Sequence, residues 1–429
     1  MNVLLPKFSV IIPQKNRAEY LIHTLKTCMI QDYPNFEVIV GDDCSDDNSV
    51  EVVKECMAKD SRIKLIAHND HVGMRDNFES ALAMVRPGYV MALGGDDGLV
   101  PGCIWRMYEI LKETGVELLT WTTPSFVYPD GDGGPSSLNI RKNRGNYIKI
   151  IKSEDFLNSI ASSFFYLSEE CPMFYIKGVA STKLVDKVKS RTADGCFYYC
   201  PTPDGFSGVV LAGEAGIYAY TNEPLSIMGT TIKSQGRNYL GKTEQAKRES
   251  KEFFNDNIRR TIHHDLASQQ YSPLISLMTA DFLLTARDLP GWPGKYNEIS
   301  FENLLRKSFK QMQYDQYETD ALIREMEILK AIAEQHNLLP LYNYLARKCK
   351  RKIKRCDQQK GSRITPRMII LDAEQYKLSN LYEASLAVKF ATTVVGKLTI
   401  MEWIKVCFNT VISIVRYFNY KKEPFPRYD

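Results

Sequence analysis

Residues 88–101 read GYVMALGGDDGLVP. The apolar run in this stretch is typical of a short buried strand, and it ends in two glycines and two carboxylates: Gly94, Gly95, Asp96 and Asp97. Adjacent like charges repel, and their burial is costly unless a cation or several hydrogen-bond donors lie opposite. A divalent cation on a diphosphate would supply that charge, and glycines let a backbone approach a phosphate closely. A plain polar turn is the alternative, because Gly-Gly-Asp-Asp-Gly also suits a turn.

Three strand and helix pairs precede this stretch. The strands are compact apolar runs and the segments between them show helical spacing, with strands at 8–12, 36–40 and 63–66 and helices near 19–31, 50–57 and 77–85. This alternation predicts an α/β fold with a parallel sheet covered by helices on both faces. Ligands bind at the carboxyl ends of such strands. Polar groups follow three of these strands, at 13–17, 42–43 and 96–97.

Four motifs in a fixed order resemble the donor-binding half of the family 2 glycosyltransferases, which are inverting enzymes of the GT-A fold. The motifs are FSVIIPQKNR, QDYPNFEVIVGDDCSDD, HVGMRDN and MALGGDD, and the resemblance covers residues 8 to about 110. It extends to bacterial envelope and O-antigen polysaccharide glycosyltransferases. It implies a Rossmann-like nucleotide-sugar-binding GT-A domain followed by an α-helical C-terminal domain.

The resemblance also implies which residues bind the donor and a divalent cation. Pro13, Asn16 and Arg17 would flank the nucleotide, Asp42 and Asp43 would contact base and ribose, Arg75 and Asn77 would lie near the base or diphosphate, and Gly95 and Asp96 would lie at the donor sugar. Asp96 and Asp97 would hold Mg²⁺ or Mn²⁺. The family usually has Asp-x-Asp-Asp here, so Gly94 is a departure that removes one carboxylate. The alternatives are a solvated acidic turn at 42–47 and, for Arg75, an exposed cation at a helix start.

The acceptor half requires a base. An inverting transfer is a single in-line displacement, so it needs one carboxylate on the sugar face opposite the leaving diphosphate. Asp204, in CPTPDGFS at 200–207, resembles the segment that places this base in part of the family. It directly precedes a predicted helix at 208–212, so a helix N-cap is the alternative. Further candidates are Asp194 and the pair Glu169–Glu170.

The predicted acceptor half also contains two polar loops. The segment GTTIKSQGR at 229–237 resembles a loop that closes on the diphosphate, where Arg237 would offset the charge of the leaving group. An exposed linker is the alternative. Residues 128–144 are rich in Gly, Pro and Ser without periodicity, which predicts an irregular surface loop.

The predicted domains are a GT-A domain at 1–240, a helical domain at 241–340 and a basic amphipathic helical region at 341–429. Helical periodicity predicts helices near 243–267, 273–287, 300–312 and 318–336. His263 and His264 are interpreted as core or surface residues, because adjacent histidines point to different helix faces and no third ligand is near in sequence.

Charge separates the C-terminal region from the rest. Residues 341–429 hold 18 Lys and Arg against 7 Asp and Glu, within a chain whose net charge is only +4. Basic and apolar residues alternate in 341–355 and 381–420, which favours helices at an anionic membrane surface. An ordinary helical domain or a homo-oligomer interface is the alternative. The small net charge and the lack of a recognition motif argue against a nucleic-acid partner.

The ten cysteines include no C-x-x-C pair, which predicts reduced thiols in the cytoplasm. The N-terminus lacks the pattern of a signal peptide, and no apolar window reaches the roughly 18–20 residues of a spanning helix. The expected location is therefore the cytoplasm, with peripheral attachment to the cytoplasmic face of the inner membrane.

These observations predict an inverting, metal-dependent glycosyltransferase that moves a sugar from a UDP-sugar to a hydroxyl of a glycan or lipid-linked acceptor in envelope polysaccharide synthesis. The alternative is a non-catalytic nucleotide-sugar-binding or membrane scaffold protein, with Gly94 marking a lost site. A nucleotidyltransferase is less favoured, because the Gly-rich basic N-terminal loop used on triphosphates is missing.

Overall fold

The computed structural model describes residues 5–129, 136–142, 145–199, 203–234, 248, 262–267, 272–313, 319–349, 361–365 and 367–395. An eight-stranded sheet forms its centre. Its strands are β1 (Phe8–Gln14), β2 (Phe36–Asp42), β3 (Ile63–Ala67), β4 (Tyr89–Ala92), β6 (Leu118–Trp121), β9 (Ile148–Lys152), β10 (Gly178–Ser181) and β11 (Ile217–Thr221), in the spatial order β3-β2-β1-β4-β10-β6-β11-β9.

The N-terminal half of this sheet is parallel, as predicted. Strands β1, β2, β3 and β4 pair in parallel, and every residue of β1 and β2 is buried, because helices cover both faces. The helices of this half and of the following segment are α1 (Ala18–Met29), α2 (Ser49–Met57), α3 (Met74–Ala83), α4 (Cys103–Thr114), α5 (Ser153–Ser163), α6 (Thr182–Lys189) and α7 (Pro203–Ala215). Strand β1 lies between β2 and β4, so three polar strand ends lie side by side.

A second sheet lies beside these strand ends. It has the order β13-β14-β8-β7-β12-β5 and is built from β5 (Gly98–Leu99), β7 (Ser125–Val127), β8 (Ser137–Arg141), β12 (Ser226–Thr230), β13 (Arg363–Ile364) and β14 (Met368–Asp372). The prediction of an irregular loop at 128–144 is wrong at β8. This strand forms because it pairs with β14 from the far end of the chain, a contact that no local pattern reveals.

Within the described part of 241–349, four helices pack on α5 and α7 and on one another: α8 (Ile275–Asp288), α9 (Phe301–Met312), α10 (Thr319–Gln335) and α11 (Leu339–Lys348). The predicted helices at 273–287, 300–312 and 318–336 are confirmed. The helix predicted at 243–267 lies mostly outside the described residues. Helix α8 packs on α5 and α7, and Phe206 and Phe282 belong to one hydrophobic cluster. Because that cluster crosses the boundary at 240, the division into two domains remains a proposal.

The last described helix, α12 (Leu381–Val395), packs against α1 and the second sheet. Its residues Leu381, Ala384 and Val388 are fully buried, and the helix contacts α1, β5 and β12. That part of the predicted amphipathic surface therefore faces the protein. The prediction that 341–429 is entirely helical is wrong at β13 and β14. None of the described helices combines the length and hydrophobicity needed to cross a bilayer.

Candidate active site

The carboxylates at the end of β2 are buried and held by the backbone. Asp42 accepts hydrogen bonds from the side-chain amide of Gln14 and from the N–H of Ser45, at 3.0 Å for the latter. Asp43 accepts the N–H of Val72 at 2.7 Å and pairs with Nδ1 of His71 at 2.8 Å. The alternative of a solvated acidic turn is therefore wrong for this pair.

The loop after β1 lies between the ends of β2 and β4. Pro13 pairs with Gly41 of β2 in the sheet. Asn16 adopts a left-handed conformation with φ of 55°, and its Oδ1 accepts the N–H of Asp46 at 2.7 Å. Arg17, one residue further, lies against Gly95: a Cβ added to that glycine would be 3.1 Å from the Arg17 Cβ. The glycine thus allows the loop to contact the carboxylate motif directly.

Helix α3 contributes Asn77 and Arg75. Asn77 donates to the carbonyl of Gly41 at 2.9 Å, which ties the helix to the end of β2. Arg75 is buried and donates to Asp194, so the alternative of an exposed cation is wrong. Burial raises the pKa of Asp194, but the hydrogen bond and charge of Arg75 outweigh it and hold that pKa below its usual value. As an ion-paired, weakly basic carboxylate, Asp194 is a poor candidate base.

Asp96 faces the loop that follows β12. Its Oδ2 accepts the hydroxyls of Thr231 at 3.1 Å and Ser234 at 3.0 Å, and Nη1 of Arg17 lies 3.8 Å from the same oxygen. Its Oδ1 accepts no hydrogen bond from any described residue. The hydrogen bonds that Asp96 accepts from described residues are therefore confined to one of its two oxygens.

Asp97, the next residue, is turned into the protein and is only 2% exposed. Its Oδ2 accepts the N–H of Gly94 and its Oδ1 that of Gly229, both at 2.9 Å. Burial and the charge of Asp96 raise its pKa, and hydrogen bonds from those two N–H groups and from the Tyr175 hydroxyl only partly oppose the shift. The two neighbouring carboxylates thus occupy different environments.

Tyr175 links this pair to Asp204. Burial raises the pKa of Tyr175 well above its usual value, and the negative charges of Asp97, Asp96 and Asp204 add to the shift. In space, the Tyr175 hydroxyl lies at Gly94 together with Oδ2 of Asp97 and Oδ1 of Asp96, because these are the three atoms nearest to a Cβ added at that glycine. The preceding residue connects this segment to α7, because the N–H of Phe174 donates to Oγ of Ser207 at 2.9 Å and that hydroxyl donates to the carbonyl of Asp204 at 2.6 Å.

Asp204 lies in the first turn of α7, which begins one residue earlier. Burial raises the pKa of Asp204, although a hydrogen bond from the N–H of Gly205 opposes the shift. A helix N-cap would instead accept an N–H two or three residues further on, and the base assignment stays a prediction. Glu169 and Glu170 form ion pairs with Arg141 and Lys149 at the surface, which makes them weaker candidates.

A His-His-Asp group lies elsewhere, in the helical part. Side-chain ligand atoms of His263, His264 and Asp265 lie within 4.8 Å of one another. Nε2 of His263 is 2.8 Å from Oδ2 of Asp288, and its Nδ1 accepts the N–H of Asp265 at 3.1 Å. Both ring nitrogens are already engaged, so this group fits a metal ion poorly.

The structure thus places the predicted residues of the β1, β2 and β4 strand ends side by side, and Arg237 lies outside the described residues. Sequence reasoning missed the roles of Gln14, Gly229 and Tyr175. Gln14 could have been found from its place in the strand-end motif, whereas Tyr175 carries no local signal. Seven cysteines are described, and all are free thiols: Cys28, Cys44, Cys56, Cys103, Cys171, Cys196 and Cys349.

Comparison with known proteins gives a family match for the N-terminal part of the chain. Residues 9–168 match the family described as glycosyl transferase family 2. An uncharacterized glycosyltransferase of Haemophilus influenzae is 24% identical over 152 residues, which are 35% of this chain and 60% of the relative. The GalNAc(5)-diNAcBac-PP-undecaprenol beta-1,3-glucosyltransferase of Campylobacter jejuni is 34% identical over 110 residues, 25% of this chain and 36% of the relative.

Among solved structures, S. aureus TarS 1–349 in complex with UDP aligns over 90% of this chain and 91% of its own, with 14% identity and a TM-score of 0.45. The match to the two curated relatives spans 60% and 36% of their lengths.

Proposed function

We propose that this chain, whose residues 9–168 match glycosyl transferase family 2, transfers a sugar from a UDP-sugar to an acceptor hydroxyl with inversion. The observation that carries this proposal is that the β2 and β4 strand ends lie side by side with β1, and that the segment carrying Tyr175 connects Gly94 to the helix turn of Asp204. A cleft with carboxylates on both sides suits a reaction that binds a cation with a diphosphate and removes a proton.

The end of β2 is the proposed nucleotide side. Carboxylates there accept hydrogen bonds, so they suit the imide N–H of uracil and the ribose hydroxyls. Asp43 and Asp42 would take these contacts, and Asn77 and Arg75 would border the base or diphosphate. The loop residues Pro13, Asn16 and Arg17 would close the other side.

The end of β4 is the proposed cation and diphosphate side. Hard divalent cations prefer carboxylate oxygens, and Asp96 offers an oxygen that accepts no hydrogen bond from the described residues. Bound Mg²⁺ or Mn²⁺ would supply positive charge that stabilises the departing diphosphate. Arg17 and Gly95 would contact the diphosphate and sugar, and Arg237 keeps its predicted role. A direct bond from Asp97 to the cation also stays a prediction, though its oxygens already accept backbone N–H groups.

Asp204 is the proposed base. Its carboxylate takes the proton of the acceptor hydroxyl as that oxygen forms a bond to the anomeric carbon. The bond from the anomeric carbon to the diphosphate oxygen breaks in the same displacement, and the electron pair leaves with the nucleotide diphosphate. A raised pKa makes Asp204 a stronger base than an exposed aspartate, which suits proton removal from a hydroxyl.

The proposed acceptor is a glycan or lipid-linked glycan of bacterial polysaccharide synthesis. The printed name of the Campylobacter relative includes an undecaprenol-linked glycan. A cytoplasmic protein attached to an anionic membrane surface would meet such an acceptor. The buried face of α12 is not available for that attachment, so the basic segment at 341–355 is the proposed contact. A homo-oligomer is also proposed.

A ligand screen tests the donor side. Melting temperature is measured with UDP-, GDP- and CDP-sugars in Mg²⁺ and in EDTA, because a ligand that binds only the folded state raises it. We expect a UDP-sugar with Mg²⁺ to give the largest increase. No increase with any nucleotide-sugar would contradict the proposal.

A turnover assay separates an enzyme from a binding protein. With the stabilising donor and Mg²⁺, the wild-type chain should slowly release free UDP, whereas a non-catalytic protein would bind the donor without releasing it. Release of pyrophosphate from a nucleoside triphosphate would instead indicate a nucleotidyltransferase.

A further inference from the structure

Gly94 has no room for a side chain. A Cβ at this position would overlap the Tyr175 hydroxyl and lie 2.7 Å from Oδ2 of Asp97 and 3.1 Å from Oδ1 of Asp96. The φ angle of Gly94 is not in the left-handed region, so the requirement is space and not backbone conformation. The volume where the resembled motif has an aspartate is filled by a phenol from a distant loop.

The loop that carries Tyr175 is strained at the next residue. Ile176 has φ of 64°, which a β-branched residue rarely adopts. Its N–H donates to the carbonyl of Ala92, the last residue of β4, at 2.8 Å. Backbone strain of this kind persists only where the surroundings enforce it, and it occurs often at functional sites. The strained turn thus holds Tyr175 directly beside the carboxylate motif.

Buried polar contacts fix the rest of the loop. Nζ of Lys177 donates to the carbonyls of Ser168 at 2.7 Å and Glu169 at 3.0 Å. The N–H of Phe174 donates to Oγ of Ser207 at 2.9 Å, and that hydroxyl donates to the carbonyl of Asp204 at 2.6 Å. One loop therefore contacts both the carboxylate motif and the helix turn that carries Asp204.

We propose that Tyr175 is a positioning residue whose hydroxyl replaces the missing carboxylate at Gly94. The hydroxyl lies at Gly94 beside Oδ2 of Asp97 and holds that side chain against the N–H groups of Gly94 and Gly229. Asp96 is then the carboxylate that faces the cation and the diphosphate. The contact between Tyr175 and Gly94 stands on geometry alone, and its effect on cation binding rests on the proposed function.

A double-mutant cycle on the full-length chain tests the contact without any ligand. Gly94→Ala should lower the melting temperature by about 3–10 °C, because the new Cβ meets the hydroxyl. In the Y175F background the hydroxyl is gone, so the loss should be at most half as large. Gly213→Ala, whose Cβ would meet Trp292, is the control and should cost the same in both backgrounds. An equal cost of Gly94→Ala in both backgrounds would overturn the proposal.

The dependence of UDP binding on Mg²⁺ concentration distinguishes a positioning role of Tyr175 from a packing role. The Mg²⁺ concentration that half-saturates UDP binding is measured by calorimetry for wild type, Tyr175→Phe and Tyr33→Phe. The hydroxyl of Tyr33 also donates a hydrogen bond, to the carbonyl of Pro6 at 2.9 Å. This contact lies away from the carboxylates of the candidate site. We expect a tenfold increase for Tyr175→Phe and no change for Tyr33→Phe. Wild-type behaviour of Tyr175→Phe would overturn the proposal.

A rescue variant completes the test. Tyr175→Ala combined with Gly94→Asp places a carboxylate in the vacated volume, so Mg²⁺ half-saturation should return to the wild-type value or below. A packing role predicts no such return. If the wild-type chain fails to bind UDP with Mg²⁺, the proposed function is rejected, and the ligand-free cycle still decides whether Tyr175 and Gly94 are coupled.

Discussion

The proposed donor side and the proposed acceptor side of the site hold their carboxylates in different ways. At the ends of β2 and β4, Asp43 and Asp97 accept backbone N–H groups from adjoining strand ends and loops. On the other side, Asp204 is positioned by α7 and by a loop whose contacts come from distant parts of the chain. The donor side is thus preformed by the sheet, whereas the acceptor side depends on loop packing. Substitutions on the two sides should therefore have separable effects.

The largest expected effect is that of Asp204→Asn. Removing a general base costs about 10²–10⁴-fold in rate. Donor binding should be unchanged, because the strand-end residues remain intact. Transfer is measured as UDP release with acceptor, and binding by calorimetry. Asp186→Asn, on the exposed side of α6, is the control. Full transfer by Asp204→Asn would remove Asp204 from the reaction.

Asp96→Asn should affect binding and transfer together. The loss of the carboxylate that faces the cation should reduce transfer about 10²–10³-fold. UDP binding should also lose its dependence on Mg²⁺, in contrast to Asp204→Asn. The control is Asp46→Asn, which removes an exposed charge from the β2–α2 loop. Unaltered Mg²⁺ dependence in Asp96→Asn would contradict the proposed cation side.

Leu381→Ala tests whether the C-terminal segment supports the donor side. Leu381 is fully buried, and it lies beside Gly98, the residue after Asp97. Its truncation should lower the free energy of unfolding by about 2–5 kcal/mol, measured with urea. Leu167→Ala, at a residue 41% exposed, is the control. Equal small losses in both variants would mean that α12 does not pack as described.

The smallest expected effect is in the pH dependence of the turnover rate, which reports on Asp204 at the proposed acceptor side. Burial raises the pKa of Asp204 above the usual 3.8, and only its ionised form takes a proton. The turnover rate at saturating donor should therefore fall about tenfold per pH unit as pH is lowered through that raised pKa. An acid limb at the ordinary aspartate value would contradict the buried base.

The contrast between local and long-range contacts also explains which features could be predicted from the sequence. The parallel sheet and Asp42, Asp43, Asp96 and Asp97 follow from local patterns, because a strand run and the polar residues after it fix both fold and position. Strand β8 depends on β14 from the other end of the chain, and Tyr175 reaches Asp97 through a strained loop. Such long-range contacts leave no periodicity in the neighbouring residues.

At Gly94, the resemblance to the family motif was not enough to predict the structure. The motif suggested a weakened or lost cation site, because one carboxylate is missing. The structure adds that the phenol of Tyr175 occupies the space where a side chain at position 94 would lie. The glycine alone does not reveal this contact.

The most direct test of the account is the anomalous scattering of Mn²⁺ in crystals grown with UDP. We predict a peak at the Asp96 carboxylate, next to the UDP diphosphate, with Asp43 near the uracil. A peak at His263, His264 and Asp265 with UDP absent from the cleft would contradict the account.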